Sequence, residues 1–268
     1  MRPPAVWPVL VSFVLALALL VTLNVAGAIP VVLLVGSHRF EAFILTLPGL
    51  SYAASLSVVA LTAVSLVGAR LSRTPITDRL ALGPSRATTA TLVLATVGLV
   101  ATSVAFSLAL EISGYKDTGV LTKITEALSR ASLPAFLLAL VCLALGPAVG
   151  EELYFRGFVQ SRLAARWGPA PAIAVSSVLF GVFHLDLKQG AFAILAGFLL
   201  GWLAHAARST RASVVAHCAN NAASLCLTRL GADPEKAGPR GIVLAVALGA
   251  AALAIAAAAA RLRAADRR

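Results

Sequence analysis

Glu151 and Glu152 stand side by side in an apolar stretch, with Arg156 four residues further on. Carboxylates are costly inside a membrane and persist there where function uses them. Two more polar pairs follow in later apolar segments, Phe180 with His184 and His217 with Asn221, each spaced i,i+4 and so on one helix face. A Glu four residues before an Arg is the favourable order for an intrahelical ion pair, which would hold Glu152 ionised and rigid. Glu151, its neighbour, points about 100° away on a helix. It is then free to face the interior as a general base. His217 and Asn221 are able to donate hydrogen bonds to a developing oxyanion, or else to bind substrate or a metal. Glu151, His184 and His217 together have the composition of a His₂Glu zinc site, although the chain has no HExxH.

The elements that must carry these groups are membrane helices. Of 268 residues 59% are hydrophobic and only 12% charged, against about 25% charged in soluble domains, and the mean hydropathy is +0.92. Apolar runs recur near the length of about 20 residues that crosses a bilayer. The expected fold is all-α, a polytopic membrane helix bundle of about eight transmembrane helices. The spans fall near Ala5–Ala28, Ala42–Ala69, Ala87–Glu111, Pro134–Phe158, Pro169–His184, Gly190–His205, Ala212–Leu227 and Gly241–Ala260. Arg2 before an apolar run and Ala26-Gly27-Ala28 after it imitate a signal peptide, but the run exceeds a signal core and reads as a retained first span. Pro8, Pro30 and Pro48 are expected to kink or end the early helices. Ser113–Ser132 is polar and amphipathic, an interfacial loop or helix. Gly197 and Gly201 form a GxxxG, a spacing for close helix packing within the bundle or between chains.

Spacing also brings two candidates level. Gly168-Pro169 marks a turn, Glu151 lies 17 residues before Gly168, and His184 lies 16 after it. In an antiparallel hairpin those two residues meet at one depth, and Phe180 walls the same face.

The net charge of +11 fits a positive-inside bias and contact with anionic lipid rather than nucleic acid, for which there is no basic patch in polar surroundings. With the N-terminus inside, the cytoplasmic segments hold the larger share of Lys and Arg: Arg2; Arg70, Arg73, Arg79 and Arg86; Arg162 and Arg166; Arg208 and Arg211; Arg261, Arg263, Arg267 and Arg268. Both termini are thus expected in the cytoplasm. Cys142, Cys218 and Cys226 show no CxxC spacing and read as small buried hydrophobes. His38 and His205, near segment ends, read as hydrogen-bonded interior residues. The high Ala and Arg content suggests a bacterial chain, hence the bacterial cytoplasmic membrane.

Glu151-Glu152-Leu153-Tyr154-Phe155-Arg156 resembles the EExxxR motif of the CAAX-protease and bacteriocin-processing (CPBP) membrane proteases. Phe180-Gly181-Val182-Phe183-His184 matches their FxxxH motif and His217-Cys218-Ala219-Asn220-Asn221 their HxxxN motif, in the family's order. The resemblance covers roughly Leu133–Thr228. It divides the chain into N-terminal helices with an interfacial segment (1–132), a catalytic helical core (133–228), and a last helix with a basic tail (229–268). It implies an intramembrane endopeptidase related to the type II CAAX prenyl proteases, acting on membrane-associated proteins or peptides. It implies Glu151 and His184 activating water, His217 with Asn221 stabilising the oxyanion, and Glu152 with Arg156 supporting the site. Members of the family are described both as metalloendopeptidases and as metal-free glutamate proteases, so zinc stays open as a cofactor. The competing readings are a proton-coupled transporter, against which no inverted repeat is evident and the polar groups cluster in one half, and a non-catalytic immunity or scaffold protein, against which the motifs are intact.

Overall fold

The computed structural model describes residues 5–72, 74–115, 120–231 and 239–266. Arg2, Arg73, Arg267 and Arg268, which enter the charge-bias argument, lie outside the described residues. All regular structure among the described residues is helical: α1 (Trp7–Val35), α2 (Ser37–Ile44), α3 (Leu47–Arg70), α4 (Ile76–Arg79), α5 (Thr89–Ile112), α6 (Val120–Ser129), α7 (Leu133–Trp167), α8 (Pro169–Phe183), α9 (Leu187–Ala206), α10 (Thr210–Arg229) and α11 (Arg240–Asp266). Each expected span has its helix. Six are long and apolar enough to cross a membrane: α1, α3, α5, α7, α9 and α11. The protein is an integral membrane helix bundle.

The other two, α8 and α10, are the helices that carry the histidines. Helix α8 has 15 residues, about 22 Å at 1.5 Å per residue, which is short of the hydrocarbon thickness of about 30 Å. Helix α10 has 20 residues but includes Arg211, His217, Asn220, Asn221 and Arg229. It is tolerated because its polar side turns inward: Thr210, Ser213, His217 and Asn220 are all buried. It packs among α5, α6, α7 and α9. The outward surface of the bundle is apolar instead, with Leu33, Leu34, Val246 and Leu253 largely exposed, as contact with lipid tails requires.

Local chemistry sets the helix ends. Thr46, Thr88, Ser132, Asp186 and Ser209 cap α3, α5, α7, α9 and α10 by accepting from backbone N–H groups of the first turn. Pro8 and Pro48 sit in first turns, where no N–H is needed, and start helices rather than end them; Pro30 lies inside α1. Gly168 turns α7 into α8 at φ 81°, a left-handed conformation that favours glycine. The amphipathic segment forms α6, which buries Leu128 against Phe136 and Leu225.

One end of the bundle collects the arginine-bearing turns. Arg162 Nε donates to the Ala5 carbonyl at 2.8 Å and Arg79 to Ser161 Oγ at 3.0 Å. The Arg86 N–H donates to the Ala207 carbonyl at 3.0 Å, and Thr210 Oγ1 donates to the Leu80 carbonyl at 2.9 Å. The segment between α3 and α5 is thereby fastened to the turn before α10 and to the end of α7, which itself holds the start of α1. Arg79 stacks on Phe158 at 4.8 Å. Burial, with Arg162 nearby, lowers its pKa to about 10, still charged at neutral pH.

Helix α7 spans 35 residues and is not a uniform α-helix. Leu140–Leu145 and Leu153–Gln160 are wound as π-helix. Such wide turns concentrate at functional sites. Between and across them run Glu151, Glu152 and Arg156. Ser176 Oγ of α8 donates to the Phe155 carbonyl in the second wide turn at 2.9 Å.

The glycine pair of α9 packs inside the bundle. A Cβ on Gly197 would stand 2.9 Å from Ser177 Cβ, and one on Gly201 would stand 2.6 Å from Gln160 Oε1. Gly197→Ala must push α9 away from α8, and overpacking of this kind costs roughly 1–3 kcal/mol. The expected outcome is a lower melting temperature in detergent. An unchanged melting curve would mean that the two helices do not approach this closely.

Candidate active site

The candidate site is built around Glu152, which has no exposed surface. Arg156, one turn on in α7 and 2% exposed, brings a guanidinium nitrogen to 2.9 Å from Glu152 Oε1. The i,i+4 pair expected from spacing is therefore present. A second partner reaches the same oxygen from another helix: His217 Nδ1 of α10 lies 3.0 Å away. A carboxylate held by Arg156 is an acceptor, so Nδ1–H of His217 donates to it. This fixes the tautomer and leaves Nε2 directed at the other glutamate, with Glu151 Oε2 at 3.8 Å. The two neighbouring carboxylates thus serve different nitrogens of one imidazole.

Phe180 of α8 joins the remaining parts. Arg156 stacks on its ring at 4.5 Å. The imidazoles of His184 and His217 meet it edge-on, with centroids 4.9 and 5.9 Å away. His184 Nδ1–H donates to the Phe180 carbonyl at 2.8 Å, so its Nε2 also carries a lone pair. Both histidines offer Nε2 as an acceptor in their neutral forms, and His217 becomes a donor there only with a second proton. Asn221 lies on the His217 face of α10 and meets its neighbour Asn220, whose Nδ2 is 3.4 Å from Asn221 Oδ1.

The structure therefore brings Glu151, Glu152, Arg156, Phe180 and His217 into direct contact. His184 joins through Phe180, and Asn221 through Asn220. Among the described residues no three His, Cys, Asp or Glu side chains converge as a metal-binding group. Glu151, His184 and His217 do not close into a His₂Glu ligand set, and Glu152 is engaged by Arg156 and His217. A cavity of about 480 Å³ opens beside Arg156, with Gln160, Ser161, His205 and Thr210 also in its wall.

Several residues with a part in this site are absent from the three motifs. Arg156 donates to the Gly197 carbonyl at 3.3 Å. Gln160, one turn further, donates to the Gly201 carbonyl at 2.9 Å. Two rows of fourfold spacing thus face each other, Glu152-Arg156-Gln160 on α7 and Gly197-Gly201 on α9. Asn220 is buried and accepts from Ser103 Oγ of α5 at 2.9 Å. The spacing of Gln160 after Arg156 was a usable signal. Nothing local marks Ser103, which lies 117 residues from Asn220.

Residues 133–223 match the family model described as type II CAAX prenyl endopeptidase Rce1-like. Over those residues the chain is similar to the CAAX-protease kind of membrane protease. The matched segment runs from the start of α7 to two residues beyond Asn221, so it holds all seven candidate residues. That similarity supports a coarse function, proteolysis in the membrane of the CAAX-protease kind, with a membrane-associated substrate. No curated protein and no solved structure matches the chain.

Removing Arg156 tests the centre of this arrangement. Arg156→Ala leaves a buried carboxylate without its cation, and breaking a buried pair costs about 3–5 kcal/mol. Melting temperature in detergent and activity are both expected to fall. Lost activity with an unchanged melting curve would assign Arg156 to substrate contact instead.

Proposed function

We propose that the chain is an intramembrane endopeptidase that hydrolyses a peptide bond with a water activated by Glu151 and His184. The observation that carries this reading is the division of labour between the two carboxylates. Glu152 is held by Arg156 and His217 Nδ1, at 2.9 and 3.0 Å, while Glu151 stands 3.8 Å from the far nitrogen of His217 and feels the charge of Arg156 without a close pair to it. That distance is too long for a hydrogen bond and leaves Glu151 uncommitted.

The steps follow from those roles. Glu151 and His184 Nε2 accept from one water, and Glu151 takes its proton as the oxygen bonds to the scissile carbonyl carbon. The carbonyl pair moves to oxygen, which Asn221 Nδ2–H faces. Glu152 keeps the neighbouring His217 ring oriented, as a buried carboxylate does for a catalytic histidine. Collapse of the intermediate breaks the C–N bond, and the proton held by Glu151 passes to the leaving amine. Phe180 keeps both imidazoles edge-on and the pocket dry. The cavity beside Arg156 supports water access from the arginine-rich end.

We also place that end, with both chain termini, on the cytoplasmic side. The contacts that gather Ala5, Arg79, Arg162 and Thr210 at one end support the charge-bias reading. Bacterial origin and the catalytic segment 133–228 stay part of this proposal.

Purified protein incubated with internally quenched apolar peptides, with and without a farnesyl group, tests the activity. The wild type is expected to cleave at least one. Glu151→Gln keeps the shape and removes the base, and its rate should fall at least ~10²-fold with folding unchanged. Near wild-type hydrolysis by Glu151→Gln overturns the assignment, and so does a folded wild type that cleaves none of the panel. The metal-free route is preferred because the chain has no HExxH and Asn221 suits an oxyanion role. About one tightly bound zinc per active chain, with chelator-reversible loss of activity, would refute that part.

A further inference from the structure

We infer that Ser103 and Asn220 are positioning residues that hold the Asn221 carboxamide with its NH₂ toward the reacting carbonyl. This rests on the reading of Asn221 as the oxyanion donor.

A carboxamide has a donor end and an acceptor end of the same size, so it stabilises an oxyanion only if something decides which end faces it. His217 and Asn221 share a helix face, but spacing places the side chain without choosing its flip. The flip found in the structure is continued by a chain of two hydrogen bonds through groups that the motifs leave unspecified. Ser103 Oγ of α5 donates to Asn220 Oδ1 at 2.9 Å. With its oxygen turned to α5, Asn220 presents Nδ2 in the other direction, where it lies 3.4 Å from Asn221 Oδ1. That bond is long, and it has the correct sense: it occupies the Asn221 oxygen and leaves Asn221 Nδ2–H as the outward end.

The surroundings make the sense of this relay matter. Asn220 is 3% exposed, so a flipped amide would bring two oxygens or two NH₂ groups together with little water to relieve them. Helix α5 belongs to the half of the chain that precedes the family match. Its contact with α10 thereby acquires a role beyond packing. Neither Ser103 nor Asn220 touches the reacting atoms in this account. Each acts through Asn221.

The test is a double-mutant cycle on the peptide that the wild type cleaves fastest. Asn220→Leu keeps the volume and removes the donor; Ser103→Ala removes the anchor; Ser103→Thr retains the hydroxyl. We expect Asn220→Leu to lower kcat about tenfold and Ser103→Ala about threefold, with KM unchanged. Both lie within the roughly 10²-fold cost of losing one oxyanion donor. Ser103→Thr should restore the wild-type rate. In an Asn221→Ala background, Asn220→Leu and Ser103→Ala should have no further effect, less than about twofold, because the group they orient is gone. Equal losses in both backgrounds would make the relay merely structural and overturn the inference. So would an unaltered kcat in Asn220→Leu while Asn221→Ala is impaired. If Asn221→Ala itself retains full activity, the oxyanion role fails, and the relay falls with it for a distinguishable reason.

Discussion

An ionised carboxylate with no water around it must be answered by protein groups, and Glu152 is such a carboxylate. In a bilayer the alternatives to pairing are worse than in a soluble core, since no rearrangement brings solvent to it. Arg156 answers it within one turn of α7, but a guanidinium has five donors and brings needs of its own. The Gly197 carbonyl takes one, and the face of Phe180 lies against the guanidinium plane. His217 Nδ1 shares the same carboxylate oxygen from α10. One buried charge therefore ties together α7, α8, α9 and α10, and the same contacts that satisfy it orient the imidazole.

That dependence explains which helices are apolar. The bundle exposes leucine and valine on α1, α3, α5 and α11 and keeps its polar helix, α10, at the centre. The two helices that do not meet the length and composition of a simple span, α8 and α10, are supported by neighbours rather than by lipid. Chemistry in a membrane needs helices of this kind, whose polar side is paid for by being enclosed.

Much of this was legible in the sequence because i,i+4 spacing is a direct statement about a helix face. Glu152 with Arg156, Phe180 with His184 and His217 with Asn221 all read correctly as same-face pairs, and Gly168 marked the turn between α7 and α8. Eight apolar runs matched eight helices. Other features were not legible. The wide turns at Leu140–Leu145 and Leu153–Gln160 were not read, although Gly146-Pro147 directly follows the first and Gly157 lies in the second. Glu151 and Glu152 both lie in the regular stretch Gly146–Glu152 between them, and they reach His217 from neighbouring positions because it presents a different ring nitrogen to each. The short helices α2 and α4 fall in segments that read only as connections. The Ser103–Asn220 contact joins halves of the chain with no motif in common, and a pairing across that distance leaves no local pattern.

The facing rows of Arg156 with Gln160 and Gly197 with Gly201 have a consequence for assembly. Side chains four apart meet carbonyls four apart, so α7 and α9 mesh like the teeth of two combs, with a pitch of about 6 Å. A slip of one residue loses every contact in the row, and no intermediate alignment is stable. A slip of a full turn would set Gln160 against His205, where the smooth glycine surface has ended. The comb therefore admits one alignment, and that alignment sets the depth of Arg156, and with it Glu152, against α9.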